Sequence, residues 1–432
     1  MNSWTARLNV RWWLLLVKHE RRREQYAQAL VNLQKVIKTE PSRALAFVQA
    51  GFCLTKLGQY EEALRMHERA LQLAPNYADA HANLSLVYRE LGRHREALDS
   101  LNRAMRMKPT FRNDFYWVYI LGLICGKLEL WDQALTAFKD ANELDGKAGN
   151  AWHGIGWAYA NLGRDSEARA ALERAIRLEP GNASAHRELG DTYFKLHQFK
   201  EAVEQFKEYI RLSPDDPAGY HSLGAAYCEL GQFDLALEPF LHALRLGPEF
   251  GEVHHTLGSV YAELGQHEKA ARAFQDAIRL EPGNADYHCS LATSWVHLGR
   301  HAEAIQSAKE ALRLKPDSAD AYLSLGCALH ETGTFMEAVA AYQKSLELNP
   351  GQFVALANLG DAYLQLGRIE DARDALIKAG KINSSDPKLH HVLGEIYLKL
   401  GRLDEASREH EILTRLDGIL ADALAKSLNA LT

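Results

Sequence analysis

The sequence predicts an all-α chain built as a stack of helix pairs, and three observations predict it. Nine prolines, Pro41, Pro75, Pro109, Pro180, Pro214, Pro248, Pro282, Pro316 and Pro350, stand on a 34-residue ladder with one step of 71, which divides into 37 and 34 with Gly146 in the vacant slot. Alanine holds the same register at Ala29, Ala63, Ala97, Ala134, Ala168, Ala202, Ala236, Ala270, Ala304, Ala338, Ala372 and Ala406. Each period also contains two stretches with apolar residues at helical spacing.

Residues 249–282, EFGEVHHTLGSVYAELGQHEKAARAFQDAIRLEP, show why each period is a helix pair. Leu257, Gly258 and Tyr261 share one face of a first helix, Leu264 closes it, and Gly265 stands where a helix end favours a left-handed residue. Ala270, Phe274 and Ala277 mark the inner face of a second helix, and Pro282 ends the unit. The small residues let the two helices approach closely while Tyr261 and Phe274 fill the gaps. Such a pair cannot bury its apolar face alone and must stack on neighbours.

In chain order, residues 1–41 read as an N-terminal segment with a degenerate first unit, 8–41. Its second helix fits the pattern (EQYAQALVNLQKVIKTEP), but its first is only RWWLLLVKHE. Residues 42–418 hold eleven tandem units. The unit 110–146 carries three extra residues near its start and an almost uncharged first helix, Phe115 to Lys127, in which Leu121 and Gly122 occupy packing slots. A spanning helix needs about 20 apolar residues, so this stretch reads as a repeat and not as a membrane segment. Residues 419–432, beginning ILADALAKSLNAL, read as a C-terminal capping helix.

Composition narrows the function classes. The chain has 432 residues, 47% of them hydrophobic and 25% charged, and its mean hydropathy of −0.30 is that of a folded protein. A net charge of −6 gives no global case for nucleic acid. Five scattered cysteines without a CxxC pair argue for reduced thiols. No export signal is legible in RWWLLLVKHERRR, so a cytoplasmic location is expected. Neither a phosphate-binding glycine loop nor an HExxH zinc motif is present. The expectation is therefore no catalytic residues, no cofactor and no metal. His221, His255 and Cys289 share a slot in successive units, but helices about 10 Å apart cannot close three such ligands around one ion.

The alanine, glycine and proline register resembles the tetratricopeptide repeat family, with the match covering residues 8 to 418 in twelve units. That resemblance implies a right-handed α-solenoid superhelix of stacked helix-turn-helix repeats whose inner wall is lined by the first helices. The architecture is similar to the helical arm of O-linked N-acetylglucosamine transferase, without a catalytic domain. That arm's asparagine ladder is mostly missing, with Asn83 and Asn358 separated by Ser222, Thr256, Ser290 and Ser324. The family's clamp for acidic chaperone tails is absent, because Val48, Phe52, Ala82 and Leu86 fill its slots.

The resemblance also implies which positions of each first helix face the groove. In the N-terminal half these hold Tyr116, Tyr119, Leu123 and Trp157, an apolar surface for a partner, with Lys56, Arg89 and Lys127 among them. From 215 to 384 they hold seven acids, Glu229, Glu252, Glu263, Asp286, Asp320, Glu331 and Asp361, without a lysine or arginine. His153, His221 and His255 also fall in groove slots, and histidines among carboxylates suggest binding that responds to pH near neutrality. The functional expectation is a non-catalytic scaffold that binds a protein or peptide, its basic segment drawn to the acidic half. Alternatives are a substrate-recruiting arm of a separate transferase and an assembly factor peripheral to a membrane complex. In the latter, Trp4, Trp12, Trp13 and Arg21 to Arg23 either seal the N-terminal end or meet a membrane surface. Self-association through the first unit is a further expectation.

Overall fold

The computed structural model describes residues 3–22 and 24–429, and among them every regular element is helical. Two compact units divide the chain, residues 1–214 and 215–432. In the first, six pairs follow one another: α1 (Ser3–Arg22) and α2 (Tyr26–Thr39), α3 (Ala44–Lys56) and α4 (Tyr60–Leu73), α5 (Ala78–Glu90) and α6 (His94–Met107), α7 (Phe115–Lys127) and α8 (Trp131–Leu144), α9 (Gly149–Asn161) and α10 (Asp165–Leu178), α11 (Ala183–Lys195) and α12 (Phe199–Leu212). The second holds α13 (Pro217–Glu229) and α14 (Phe233–Leu246), α15 (Gly251–Glu263) and α16 (His267–Leu280), α17 (Ala285–His297) and α18 (His301–Leu314), α19 (Ala319–Glu331) and α20 (Phe335–Leu348), α21 (Phe353–Gln365) and α22 (Ile369–Ile382), α23 (Pro387–Lys399) and α24 (Leu403–Leu416), with α25 (Gly418–Asn429) last.

One packing rule recurs in most of the pairs. A glycine in the middle of the first helix faces a large residue in the middle of the second. A Cβ on Gly258 would lie 2.6 Å from the Phe274 ring, and on Gly326 2.6 Å from Tyr342. Where the large residue becomes Ala308, the glycine slot becomes Ala292, and both are fully buried. His67 takes the large slot opposite Gly51 and is fully buried. The turn between the paired helices uses a left-handed residue. Glycine fills it at nine positions, among them Gly265 at φ 69°, but Glu24, Glu129 and His197 adopt φ of 58°, 59° and 56° there.

Within each unit the second helix of one pair packs against the first helix of the next. First helices also touch across the layers: α3 meets α5 and α7 meets α9 in the first unit, while α13, α15, α17, α19 and α21 touch in succession in the second. Second helices splay apart, and the wedge left between α20 and α22 is floored by Leu356, Leu359 and Tyr363 of α21. In each unit the first helices therefore lie on the inner side of a local bend.

Two ends differ from the body of the stack. Helix α1 is longer than the RWWLLLVKHE segment, starting at Ser3 and running to Arg22. It buries Val10 and Val17 against Ala29, Leu33 and Val36 of α2, with Trp13 and Leu14 packed beside them. The side chains of Trp4 and Arg22, and all of Arg23, lie outside the described residues. Helix α25 packs on α23 and α24 through Ala421 and Leu424, and Leu424 fills the space over Gly394. The apolar helix α7 has its explanation in its neighbours, since Val118, Ile120 and Ile124 are buried against α6 and α9 residues. Among the described residues no helix is long and apolar enough to cross a membrane.

Candidate functional site

In the second unit the charge distribution follows the helix type. Helices α13, α15, α17, α19 and α21 contain no lysine or arginine anywhere along their lengths. Their acidic residues are Glu229, Glu252, Glu263, Asp286, Asp320, Glu331 and Asp361, and all seven are exposed. Two of them have neighbours that hold them: Asp361 lies 3.1 Å from Nε2 of His330, and Asp320 accepts a hydrogen bond of 2.7 Å from Gln352. Among the described residues none of the seven pairs with a lysine or arginine. On α14, α16, α18, α20 and α22 the opposite holds. Glu238, Asp276, Glu303, Glu310, Glu347, Asp371 and Asp374 each meet a basic partner on, or at the start of, the same helix. Most of the outer acids are thus locally neutralised by a cation, whereas among the described residues none of the seven inner ones meets a lysine or arginine.

Polar rungs join the inner helices. His255 of α15 lies 3.0 Å from the Ser290 hydroxyl of α17, and Thr293 of α17 shares a 3.1 Å hydrogen bond with Ser324 of α19. Asn358 of α21 donates to the Cys327 sulfur of α19 at 3.3 Å. The fields of Glu252 and Asp286 both reach the His255 ring, which places these carboxylates beside that row.

The groove histidines do not behave as the sequence suggests. The ring of His255 is stacked on Tyr287, 4.8 Å between centroids, and His221 packs against Phe240. Burial pushes both imidazoles below the ordinary histidine range; Glu252 opposes the shift at His221, and Asp286 and Glu252 oppose it at His255, without cancelling it. Titration of these two near neutrality is therefore corrected: desolvation of the charged form outweighs the acids beside it. His153 in the first unit sits 3.0 Å from the Glu188 carboxylate, an inner-helix rung between α9 and α11. Among the described residues no group of three or more His, Cys, Asp or Glu side chains could hold a metal ion.

In the first unit the four apolar residues separate. Tyr116 is 46% exposed and meets Trp117 edge-on at 5.0 Å. Tyr119 is half-buried, stacked parallel on Phe115 and tilted against Phe138. Leu123 is half-buried in the same clusters. Trp157 lies over Gly126, where a Cβ would come within 2.2 Å of its ring, and meets Trp131 edge-to-face at 4.9 Å. Tyr119, Leu123 and Trp157 thus spend most of their surface on packing between α7, α8 and α9, and Tyr116 alone of the four turns a large face outward.

Tyr116 also borders a recess of about 430 Å³ on the inner side of α3, α5 and α7, with Phe52, Lys56, Asn83, Leu86 and Arg89. Tyr60 and Trp117 line it too. Neither was legible in advance, because Tyr60 opens a second helix and Trp117 stands one position outside the groove register.

With this geometry in place, the comparisons with known proteins are decisive for the family. The family model described as the cilia and flagella-associated protein 70 C-terminal domain, a tetratricopeptide-repeat model, matches residues 42–216 and 180–379, and a tetratricopeptide repeat model matches 360–401. The chain belongs to this tetratricopeptide repeat family. Its fold is similar to that in the crystal structure of the APC/C hetero-tetramer Cut9–Hcn1, with a TM-score of 0.52 at 15% identity over 96% of each chain. Yeast Tom70 is similar at 17% identity over 98% of this chain and 96% of its own, with a TM-score of 0.43. YrrB, described as a tetratricopeptide repeat protein with an unusual peptide-binding site, matches 46% of this chain and 99% of its own at 22% identity, with a TM-score of 0.41. No curated protein matches the chain. Tetratricopeptide repeat proteins are all-helical solenoids that generally serve as protein-interaction scaffolds and are typically non-catalytic.

Proposed function

We propose that this tetratricopeptide repeat chain is a non-catalytic scaffold whose second unit binds a basic segment of a protein partner along α13, α15, α17, α19 and α21. One observation carries the reading: five successive inner helices without a lysine or arginine present seven exposed carboxylates, while most acids of the outer helices are paired with cations. Exposed carboxylates on one face that meet no lysine or arginine sum their fields, and a concave low-dielectric wall focuses that potential, raising the on-rate of a cationic segment by about 10 to 1,000-fold. In the first unit, Tyr116 and the adjoining recess offer an aromatic anchor point of the kind that concentrates binding energy.

Fluorescence anisotropy of a labelled lysine- and arginine-containing peptide, with its glutamate-substituted counterpart as control, tests the reading. Reversal of Glu252, Glu263 and Asp286 to lysine is expected to weaken binding at least about tenfold and to flatten its salt dependence. Reversal of the outer Glu303 and Glu310 is expected to leave it nearly unchanged. Equal loss from both sets, or equal affinity for the acidic peptide, would refute the assignment.

A further inference from the structure

Helix α1 is positively charged in a negatively charged protein, and its outward side carries large apolar groups. Residues 1–23 contain six basic residues, Arg7, Arg11, Lys18, Arg21, Arg22 and Arg23, against one acid, Glu20, giving six minus one, or +5, whereas the whole chain is at −6. Glu20 offers nothing to the outside, since it is buried and its two carboxylate oxygens accept hydrogen bonds of 2.9 and 3.1 Å from Asn32. Trp13, Leu14, Val10 and Val17 supply the packing onto α2. Trp12 and Leu15 are left over, 59% and 66% exposed, and Lys18 beside them is exposed as well. Among the described residues neither Lys18 nor Arg21 has an ion-pair partner; Arg21 lies over the Phe52 ring at 4.2 Å.

The helical period orders these features. Positions 12 and 15 lie on one stripe of the helix, and positions 7, 11, 18 and 22, all basic in the sequence, fall in the adjacent row of the helical backbone. This is the pattern of a helix that lies in a lipid interface, with indole and leucine at the boundary and cations at the headgroups.

From this we infer that the α1 face bearing Trp12, Leu15 and Lys18 docks on an anionic lipid surface, independently of the acidic inner face proposed above. A second copy seated α1 against α1 would set together two helices that each carry five basic residues against one acid, or +4, and the charge opposes it. A folded acidic partner would need a groove matched to two protruding side chains. A fluid anionic interface accepts them without one, and each nearby Lys or Arg adds to the attraction.

Co-sedimentation of the full chain with vesicles tests this, using a roughly 2:1 mixture of phosphatidylcholine and phosphatidylserine against pure phosphatidylcholine. The chain is expected to sediment with the anionic vesicles, to be released at about 0.5 M salt, and to ignore the neutral ones. Trp12→Ser/Leu15→Ser and, separately, Arg11→Glu/Lys18→Glu are each expected to lower the partition coefficient at least about tenfold. Unchanged circular dichroism and melting of the Trp12→Ser/Leu15→Ser variant show that the fold is intact, as befits two exposed positions. The inference is overturned by equal sedimentation with both vesicle types, by none with either, or by wild-type sedimentation of both variants. It is also overturned if light scattering finds a wild-type dimer that Trp12→Ser/Leu15→Ser converts to monomer, because a second copy then covers the face.

Discussion

Replacing His67 with phenylalanine should stabilise the α3–α4 pair, and by more in acid than at neutral pH. His67 is 0% exposed, and neither ring nitrogen has a hydrogen-bond partner. The slot it fills is filled elsewhere by Phe138, Phe206, Phe240 and Phe274, each opposite a glycine as His67 is opposite Gly51. Phenylalanine therefore fits, and it removes polar atoms whose burial without partners costs about 1–3 kcal/mol. Burial also lowers the imidazole pKa from 6.5 to about 4. A folded-state value below the unfolded one means that the neutral form is favoured by folding. The stability it allows is full above 6.5 and drains away as pH falls toward 4, because the unfolded chain takes up the proton first. With those two values the wild type loses about 2 kcal/mol between pH 7 and pH 5 from this residue alone. Urea unfolding of wild type and His67→Phe, with hydrogen exchange of the α3 and α4 amides to localise the effect, should show a gap of about 1–3 kcal/mol at pH 7 that widens by about 2 kcal/mol at pH 5. A gap independent of pH, or a destabilised variant at pH 7, would refute the argument.

Further predictions come from the same geometry. Glycine at position 129 or 197 should raise stability by about 1 kcal/mol each, seen as a higher urea midpoint at constant slope, because Glu129 and His197 hold left-handed backbone that disfavours a Cβ. Trp157→Ala should cost about 3 kcal/mol by removing the ring over Gly126. Tyr116→Ala should stay within about 0.5 kcal/mol of wild type in the same melts, and a large loss there would place Tyr116 in the core. Affinity for a basic peptide should change little between about pH 8 and 7, since burial lowers the His221 and His255 imidazoles from the ordinary histidine value; a marked weakening over that range that His221→Gln/His255→Gln abolishes would show that they charge there.

The fold was legible because its rule is written in residue size. Gly258 opposite Phe274 and Ala270 beneath Tyr261 recur at a fixed period, and a period needs no coordinates to be seen. The seven exposed acids were legible for a related reason, since a carboxylate at a helix position that faces no neighbour remains in solvent. Residues whose fate depends on the adjacent layer were harder. Trp157 occupies a groove slot by register, yet Gly126 on the preceding first helix opens a space that the indole fills. His255 lies in a row of acids, but Tyr287 and Ser290 of the next layer hold it and desolvate it. The burial of the polar His67 follows only once its register partner, Gly51, is recognised as the glycine of the packing rule. The charge segregation of the second unit was visible at groove slots, but its full extent required the helix limits, which show whole helices free of lysine and arginine.

Carbodiimide labelling of carboxylates, read residue by residue by mass spectrometry with and without a bound basic peptide, tests the central claim most directly. Glu229, Glu252, Glu263, Asp286 and Glu331 should lose reactivity on binding, while the paired outer acids Glu238, Asp276 and Glu303 keep theirs. Protection of the outer set, or of neither set at saturating peptide, would contradict the assignment of partner binding to the inner helices.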